Sequence, residues 1–176
     1  MVTIRTEISA DVTAREALLD RAFGQARNRK TSQRLRDDRL PAEGLAFTAL
    51  SKSGRVIGTL RMWNVIAGSA GPALLLGPLA VDARYQRRGT GRELVNHALN
   101  MAKVLGHGAV LLVGDEPYYS RFGFTRSLVA GLHMPGPVER NRFLGLELAP
   151  NALDGAEGLV VADGVLAPNA REVIAA

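Results

Sequence analysis

The sequence predicts a mixed α/β domain of the α+β type, in which a mostly antiparallel central sheet is flanked by helices. Short apolar runs separated by turn residues, such as Lys52-Ser53-Gly54, are typical of antiparallel hairpins. Residues 73–113 follow a strand, helix, strand pattern, which is typical of a right-handed crossover between two parallel strands. Because the chain has 176 residues and no recognisable linker or repeat, residues 1–176 are expected to form a single domain.

Several segments have the alternating or continuous apolar pattern of strands. The expected strands are residues 3–9, 45–50, 55–65, 73–81, 109–113, 143–148 and 159–162. The run 73–81 is almost wholly apolar, so we expect this strand to be buried. The last dozen residues carry no pattern that predicts an element.

Helices are predicted from capping residues and from apolar periodicity. Thr13 can cap a helix that runs to about Phe23, and the polar residues 30–39 are expected to form a second helix. The strongest helical pattern places five apolar side chains on one face before Gly106 ends the helix: Leu94, Ala98, Met101, Ala102 and Leu105. Residues 118–122 are expected to form one or two helical turns, ended by Gly123.

The composition excludes several kinds of chemistry. The chain has no cysteine, which rules out disulfides, thiolate metal sites and a cysteine nucleophile. It has only three histidines, so we expect no metal centre. No run approaches the roughly 20 apolar residues that would span a bilayer, and no segment resembles a signal peptide. We therefore expect a cytoplasmic protein without membrane contact.

The chain is basic, with a net charge of +5 and an isoelectric point near 10.2, which favours anionic partners. The densest basic cluster spans residues 27–39. It contains no aromatic side chain that could stack on a nucleic-acid base. We therefore do not expect a nucleic-acid partner, and we interpret this cluster as a solvated helix face.

The most informative segment is Gly77-Pro78-Leu79-Ala80-Val81 and the loop that follows it, up to Gly91. An apolar strand ends here, two arginines meet a Gly-x-Gly sequence, and an amphipathic helix follows at once. The first N–H groups of a helix have no partner within the helix, and glycine lets an anion approach them closely. Guanidinium groups add donors that suit phosphate oxygens. The segment is therefore interpreted as a site for a pyrophosphate.

Two other phosphate-binding loops fit this segment poorly. A P-loop requires Gly-Lys-Ser/Thr, whereas here Thr90-Gly91 is followed by Arg92-Glu93. A dinucleotide-binding loop requires a small residue where Leu94 stands. A plain helix start remains an alternative, although two arginines beside the positive end of a helix dipole are unfavourable without an anion.

The motifs of this segment resemble those of a known family. Leu79-Ala80-Val81 followed by Gln86-Arg87-Arg88-Gly89-Thr90-Gly91 resembles motif A of the GNAT superfamily of N-acetyltransferases. Downstream, Tyr118-Tyr119-Ser120-Arg121-Phe122-Gly123-Phe124 resembles the tyrosine to Gly-Phe element of that family. Together with Gly77-Pro78 and Gly114-Asp115, the two motifs are similar to those of a bacterial branch of predicted acetyltransferases. The resemblance covers roughly residues 43–148.

The resemblance implies the GNAT fold, in which the parallel strand pair splays to admit coenzyme A. It implies that acetyl-CoA is the cosubstrate and that no metal is needed. It also implies that Tyr119 is the general acid. Tyr118 is the competing candidate for this role, and the alternative for Tyr119 is a purely structural role as a packed ring. A backbone amide near Val81 could stabilise the oxyanion. The implied cofactor-binding residues are Leu79, Ala80 and Val81 toward pantetheine, and Gln86, Arg87, Arg88, Gly89, Thr90, Gly91 and Arg92 toward the pyrophosphate.

The implied reaction is acetyl transfer to a primary amine, either of a small molecule or of an exposed protein amino group. Since there is no cysteine for an acetyl relay, direct attack in a ternary complex is expected. The base stays open among Glu43, Asp82, Asp115, Glu116, His133 and a water chain. Met62 and Trp63 are candidates for an acceptor pocket, although a core position is the more common place for such residues. A non-catalytic acyl-CoA sensor is the alternative function, and a homodimer stays open because dimers are common in this superfamily.

Overall fold

The computed structural model describes residues 2–168. The strands are β1 (Thr3–Thr6), β2 (Ala46–Leu50), β3 (Val56–Ala67), β4 (Pro72–Val81), β5 (Ala109–Val113), β6 (Gly131–His133), β7 (Phe143–Glu147) and β8 (Glu157–Ala162). The helices are α1 (Val12–Phe23), α2 (Thr90–Val104) and α3 (Glu116–Tyr119). The mixed α/β class predicted from the sequence is confirmed. Most of the last dozen residues lie outside the described part of the chain.

One sheet runs through the molecule in the order β1-β2-β3-β4-β5-β7. Its neighbours are antiparallel except for β4 and β5, which are joined by α2 and run parallel, as expected for the crossover. These two strands pair only at Leu74 with Val110 and Leu75 with Leu111, although β4 continues to Val81. The strands are therefore apart at their carboxyl ends, and the expected splay is confirmed. On the other side of β3, β8 pairs with residues 65–67 and carries β6 as a parallel neighbour.

Helix α2 packs one face against the sheet. Leu94, Ala98 and Ala102 are fully buried, as the periodicity predicts, whereas Leu105 is 48% exposed because the helix ends before it. A Cβ atom at Gly58 of β3 would lie 2.9 Å from Cδ1 of Leu94. Glycine at this position therefore lets the helix approach the sheet closely. This packing fixes where the first turn of α2 lies relative to β4.

Two predictions about the N-terminal half need correction. Residues 30–39 do not form an α-helix: the chain makes short 3₁₀ turns at Gln25–Arg29 and Thr31–Leu35 instead. This polar segment has no apolar face to pack, and among its residues only Thr31 and Leu35 are buried. Helix α1 begins after Asp11 rather than after Thr13, because β1 ends earlier than the alternation predicted.

Ion pairs attach the first of these turns to α1. Arg27 pairs with Glu16 and, at 2.9 Å, with Asp20. Glu16 also accepts a 2.7 Å ion pair from the buried Arg15, which in turn pairs with Glu7. The charge of Arg27 is thus neutralised within the fold. Among the described residues, no helix is long and apolar enough to cross a membrane.

Candidate functional site

The loop between β4 and α2 is organised by Asp82. Its carboxylate accepts hydrogen bonds from the backbone N–H of Arg84 at 3.1 Å, from the Arg84 guanidinium at 3.1 Å and from Arg55 at 3.0 Å. These bonds, first of all those of the Arg84 side chain, lower the pKa of Asp82 to about 2. Gln86 closes the loop from the other side by donating 3.2 Å from Nε2 to the carbonyl oxygen of Val81. The first turn of the loop, residues 82–86, is therefore held by hydrogen bonds at Asp82 and at Gln86.

The backbone N–H groups of residues 87–92 donate no hydrogen bond to any acceptor within residues 2–168. Arg87 and Gly89 adopt left-handed backbone angles, with φ of +59° and +89°, and Gly89 directly precedes the first residue of α2. The hydroxyl oxygen of Thr90 is also buried without a partner in this part of the chain. Free N–H groups at the positive end of a helix form a site for an anion. We call residues 87–92 the amide cradle.

One side of the amide cradle is exposed to solvent, and the other side is covered by Tyr118. Arg87, Arg88 and Arg92 are exposed, as expected for residues that assist from the edge. On the closed side, a Cβ atom at Gly91 would lie 2.9 Å from the hydroxyl oxygen of Tyr118. Glycine is therefore needed for α3 to lie over the first turn of α2. Tyr118 belongs to this end of the site.

A cleft of about 260 Å³ lies where β4 and β5 separate. One side of the cleft is a bulge in β4: Leu60 pairs with Leu79 and Met62 with Leu76, so that β4 has an extra residue between these pairs. The full lining consists of Phe23, Arg27, Lys30, Ser32, Gln33, Arg36, Leu76, Gly77, Pro78, Leu79, Val113, Gly114, Asp115, Tyr119 and Arg142.

The structure brings together only some of the residues predicted for the pantetheine arm. Leu79 lines the cleft, and Val81 reaches the amide cradle, where its Cγ2 lies 3.7 Å from the Cβ position of Gly91. The side chain of Ala80 is buried in the cluster that contacts α1, so that only its backbone could serve a ligand in the cleft. Met62 and Trp63 are buried in the core and do not line the cleft, so the core interpretation of these two residues is correct.

Tyr119 faces the cleft, whereas Tyr118 does not line it. The Tyr119 ring lies against Gly114, where a Cβ atom would overlap Cε2 of the ring, and it packs edge to face on the buried Phe124 with centroids 5.8 Å apart. Burial raises the pKa of Tyr119 well above its usual value, and the neighbouring Tyr118 adds to this effect. The phenol therefore stays protonated at neutral pH and is a hydrogen-bond donor beside the separated strands.

Asp115 is the carboxylate that lines the cleft. Of the other groups considered as a base, Asp82 is engaged by its arginines, and Glu43, Glu116 and His133 are exposed outside the cleft lining. Asp115 is exposed, and its charge raises the pKa of Tyr119, which lies on the same helical turn.

The basic wall of the cleft was missed by sequence reasoning. We use this name for Lys30, Arg36 and Arg142, three cations that line the cleft. The segment that carries Lys30 and Arg36 is held at this place by long-range hydrogen bonds: Thr31 Oγ1 donates to the carbonyl oxygen of Pro137 at 2.6 Å. No local pattern predicts such a contact, because the two residues are 106 positions apart.

Acidic and imidazole groups do not gather into a metal site: within residues 2–168, no three or more of them lie close enough to hold an ion.

The comparisons with known proteins agree with these features. The model of the acetyltransferase (GNAT) family matches residues 13–124. The uncharacterized N-acetyltransferase YhbS of Escherichia coli strain K12 is 35% identical over 158 residues, which is 89% of this chain and 93% of that protein.

Two solved structures are also similar. The crystal structure of Escherichia coli YhbS in complex with CoA has a TM-score of 0.78 at 33% identity, over 92% of this chain and 89% of that one. A GNAT family acetyltransferase from Brucella melitensis in complex with acetyl-CoA has a TM-score of 0.66 at 25% identity, over 93% of this chain and 96% of that one. The splayed strands, the amide cradle and the matched family model lead to one conclusion: the chain belongs to the GNAT family of acetyltransferases.

Proposed function

We propose that this protein is an acetyl-CoA-dependent N-acetyltransferase that transfers the acetyl group to a primary amine by direct attack in a ternary complex. The observation that carries the proposal is the set of free N–H groups of residues 87–92 at the start of α2, next to two strands that separate. The relatives that bind CoA and acetyl-CoA share this fold over most of their length. We also propose that the whole chain serves as one such domain.

The amide cradle fits the diphosphate of coenzyme A. Its N–H groups and the Thr90 hydroxyl would donate hydrogen bonds to phosphate oxygens, and the exposed arginines at positions 87, 88 and 92 would balance the phosphate charge. The cleft is lined by residues 76–79 of β4 and by Tyr119, so that the backbone of Leu79 would flank the pantetheine arm there and the backbone of Ala80 and Val81 would follow it toward the amide cradle. The residues present therefore fit this cosubstrate.

The chemistry needs few groups because the acetyl thioester of the cosubstrate is already activated. Tyr119 would donate a hydrogen bond to the departing thiolate and keep its proton, because a thiol of pKa about 8.5 is a stronger acid than the phenol, and the thiolate would take its proton from solvent. A backbone N–H of β4 would stabilise the oxyanion of the attacked carbonyl. Asp115 would orient the amine and accept its proton directly or through water. Positioning of the two substrates in one cleft supplies the remaining rate enhancement.

The proposal is tested by binding and by turnover. Acetyl-CoA binding is measured by calorimetry, and thiol release is measured with a panel of small primary amines and peptides with free N-termini. Gly91→Glu places a carboxylate among the free N–H groups and against Tyr118, so we expect acetyl-CoA affinity to fall at least about 100-fold. The matched control is Asn100→Glu, which adds the same charge on the exposed side of α2, about 13 Å further along the helix.

The outcomes separate the two functions. Loss of binding in Gly91→Glu alone, together with turnover of an amine by the wild type, supports the proposal. Unchanged acetyl-CoA affinity in Gly91→Glu would remove the amide cradle as the cofactor site. Tight binding without turnover of any amine would favour the non-catalytic acyl-CoA sensor instead.

A further inference from the structure

The basic wall gathers three cations at one cleft. Within residues 2–168, Lys30, Arg36 and Arg142 form no salt bridge. Arg27, on the same segment, is instead committed to Glu16 and Asp20 of α1. The three cations of the wall are therefore available to a ligand in the cleft.

Arg36 is the most constrained of the three. It is half-buried, and within residues 2–168 its guanidinium donates hydrogen bonds only to neutral oxygens of Ser32, at 3.1 Å to the carbonyl and 2.6 Å to the hydroxyl. Burial lowers the pKa of Arg36 to about 10; the charge of Asp37 opposes this shift without a hydrogen bond to the guanidinium, and the charge of Arg27 adds to it. A guanidinium withdrawn from water without an anionic partner is unfavourable, and an anion beside it would relieve that cost.

The charges of Arg142 and Arg36 both act on Lys30. The pKa of Lys30 is lowered by burial and then by the charges of Arg142 and Arg36. The Lys30 ammonium is held 4.7 Å above the ring of Phe23, so that its position is fixed at the wall. Like charges that face each other are stabilised when a negative group lies between them.

The basic wall lies beside the reacting end of the cleft. Arg142 lowers the pKa of Tyr119 whereas Asp115 raises it, so that a positive and a negative charge both face the ring. A second cavity of about 640 Å³ shares Lys30, Ser32, Val113 and Arg142 with the cleft and is lined further by Arg29 and Arg34 and by one carboxylate, that of Glu139. The basic surface thus continues beyond the cleft, and no residue of the amide cradle lines either cavity.

We propose that the acceptor is a small amine that also carries a carboxylate or a phosphate, which binds to Lys30, Arg36 and Arg142 while the amine lies at Asp115 and Tyr119. This inference rests on the proposed function and specifies its substrate class. The wall is not a second site for the cofactor phosphates, because no residue of the amide cradle lines the cleft. Asp115 and the wall together match an acceptor with one positive and one negative end.

The first experiment compares acceptors of equal length. The value of kcat/KM is measured at saturating acetyl-CoA for four amines: ethanolamine, ethylenediamine, β-alanine and 2-aminoethyl phosphate. The comparison is repeated with four-carbon amines that carry the same four end groups. We expect the carboxylate or the phosphate compound to exceed its neutral and dicationic counterparts at least about 10-fold, with an advantage that decreases as ionic strength rises. The ratio of the carboxylate to the phosphate compound tells which anion is bound.

The second experiment removes the wall charges one at a time. Arg142→Gln and Arg36→Gln are expected to raise the KM for the anionic amine at least about 10-fold and to leave the KM for acetyl-CoA and for the neutral amine unchanged. Because Arg142 is exposed, we expect Arg142→Gln to fold normally. This variant therefore tests the inference even if Arg36→Gln lowers the stability of the fold. Arg21→Gln, an exposed charge loss on α1 outside the cleft lining, is the control.

Failure of this inference is distinguishable from failure of the proposed function. Turnover of neutral and anionic amines at equal efficiency, or turnover only of acidic peptides, overturns the inference and leaves the transferase activity intact. Where no amine is acetylated, calorimetry of 2-aminoethyl phosphate and β-alanine with the coenzyme A complex decides the question. Binding that is lost in Arg142→Gln supports the inference, and absence of binding overturns it.

Discussion

The indole Nε1 of Trp63 donates a hydrogen bond of 2.6 Å to the carbonyl oxygen of Gly77. This bond joins the buried face of β3 to the bulge of β4, where Gly77 has a left-handed φ of +125°. Trp63→Phe keeps an aromatic ring and removes the donor, so that a buried carbonyl loses its partner. We expect the free energy of unfolding to fall by about 1–2 kcal/mol and the KM for acetyl-CoA to rise, as measured by urea unfolding and initial rates. An unchanged cofactor KM would show that the bulge does not shape the cleft.

Tyr119→Phe removes the phenol that faces the cleft and leaves the ring packed on Phe124. We expect kcat to fall by about 100-fold. Because the pKa of Tyr119 is raised, the wild-type phenol stays protonated, and the loss should be the same from about pH 6 to pH 9. Tyr118→Phe is the comparison: its hydroxyl lies at Gly91, so its effect should fall on acetyl-CoA affinity and not on kcat. A larger effect of Tyr118→Phe on kcat would reverse the two roles.

Gly114→Ala tests the position of Tyr119 without touching its hydroxyl. The added methyl group would overlap the Tyr119 ring and push it toward the cleft, so we expect kcat to fall by about 10-fold or more while acetyl-CoA still binds. Gly108→Ala is a suitable control, because its methyl group would meet Cβ of Ala152 at 3.4 Å and Cβ of Ala149 at 3.8 Å, which are ordinary contact distances. Equal kinetics of the two alanine variants would contradict the tight contact at Gly114.

Asp82→Asn should make stability less dependent on pH in the acid range. The pKa of Asp82 is about 2 in the folded chain, below its usual value, so the carboxylate stabilises the fold above about pH 4 and loses this effect as the pH falls toward 2. Since Arg84 is exposed and screened by solvent, we expect a loss of only about 1 kcal/mol at neutral pH. Urea unfolding at about pH 6 and about pH 3 measures the difference. Asp154→Asn, at an exposed carboxylate, should leave the difference in stability between about pH 6 and about pH 3 as it is in the wild type.

Local patterns carried most of the prediction of the fold. The period of Leu94, Ala98 and Ala102 identified α2, and the glycine loop before it was placed correctly at the start of that helix. Both features depend on residues within about two helical turns of each other, so a single sequence is sufficient. The strand pattern was equally local and predicted that β4 and β5 are parallel, whereas their splay was implied by the family resemblance.

The basic wall and the small strand β6 depend on contacts that local patterns do not contain. Residues 30–36 take their positions from the chain near Pro137, and β6 pairs only with β8. The charge of Arg36 was visible in the sequence, but its burial was not, because burial is decided by segments more than 100 positions away. Tertiary packing overrode the interpretation of residues 27–39 as a solvated helix face.

Only two residue pairs connect β4 with β5, so the distance between their far ends is not fixed by a ladder of backbone bonds. Leu76, Leu112 and Phe124 belong to one buried cluster, and we expect the volume of its side chains to set this distance. Methyl groups added or removed there would widen or narrow the opening without any change at its surface. The size of the acyl chain that the protein accepts is therefore expected to be adjustable from the interior of the molecule.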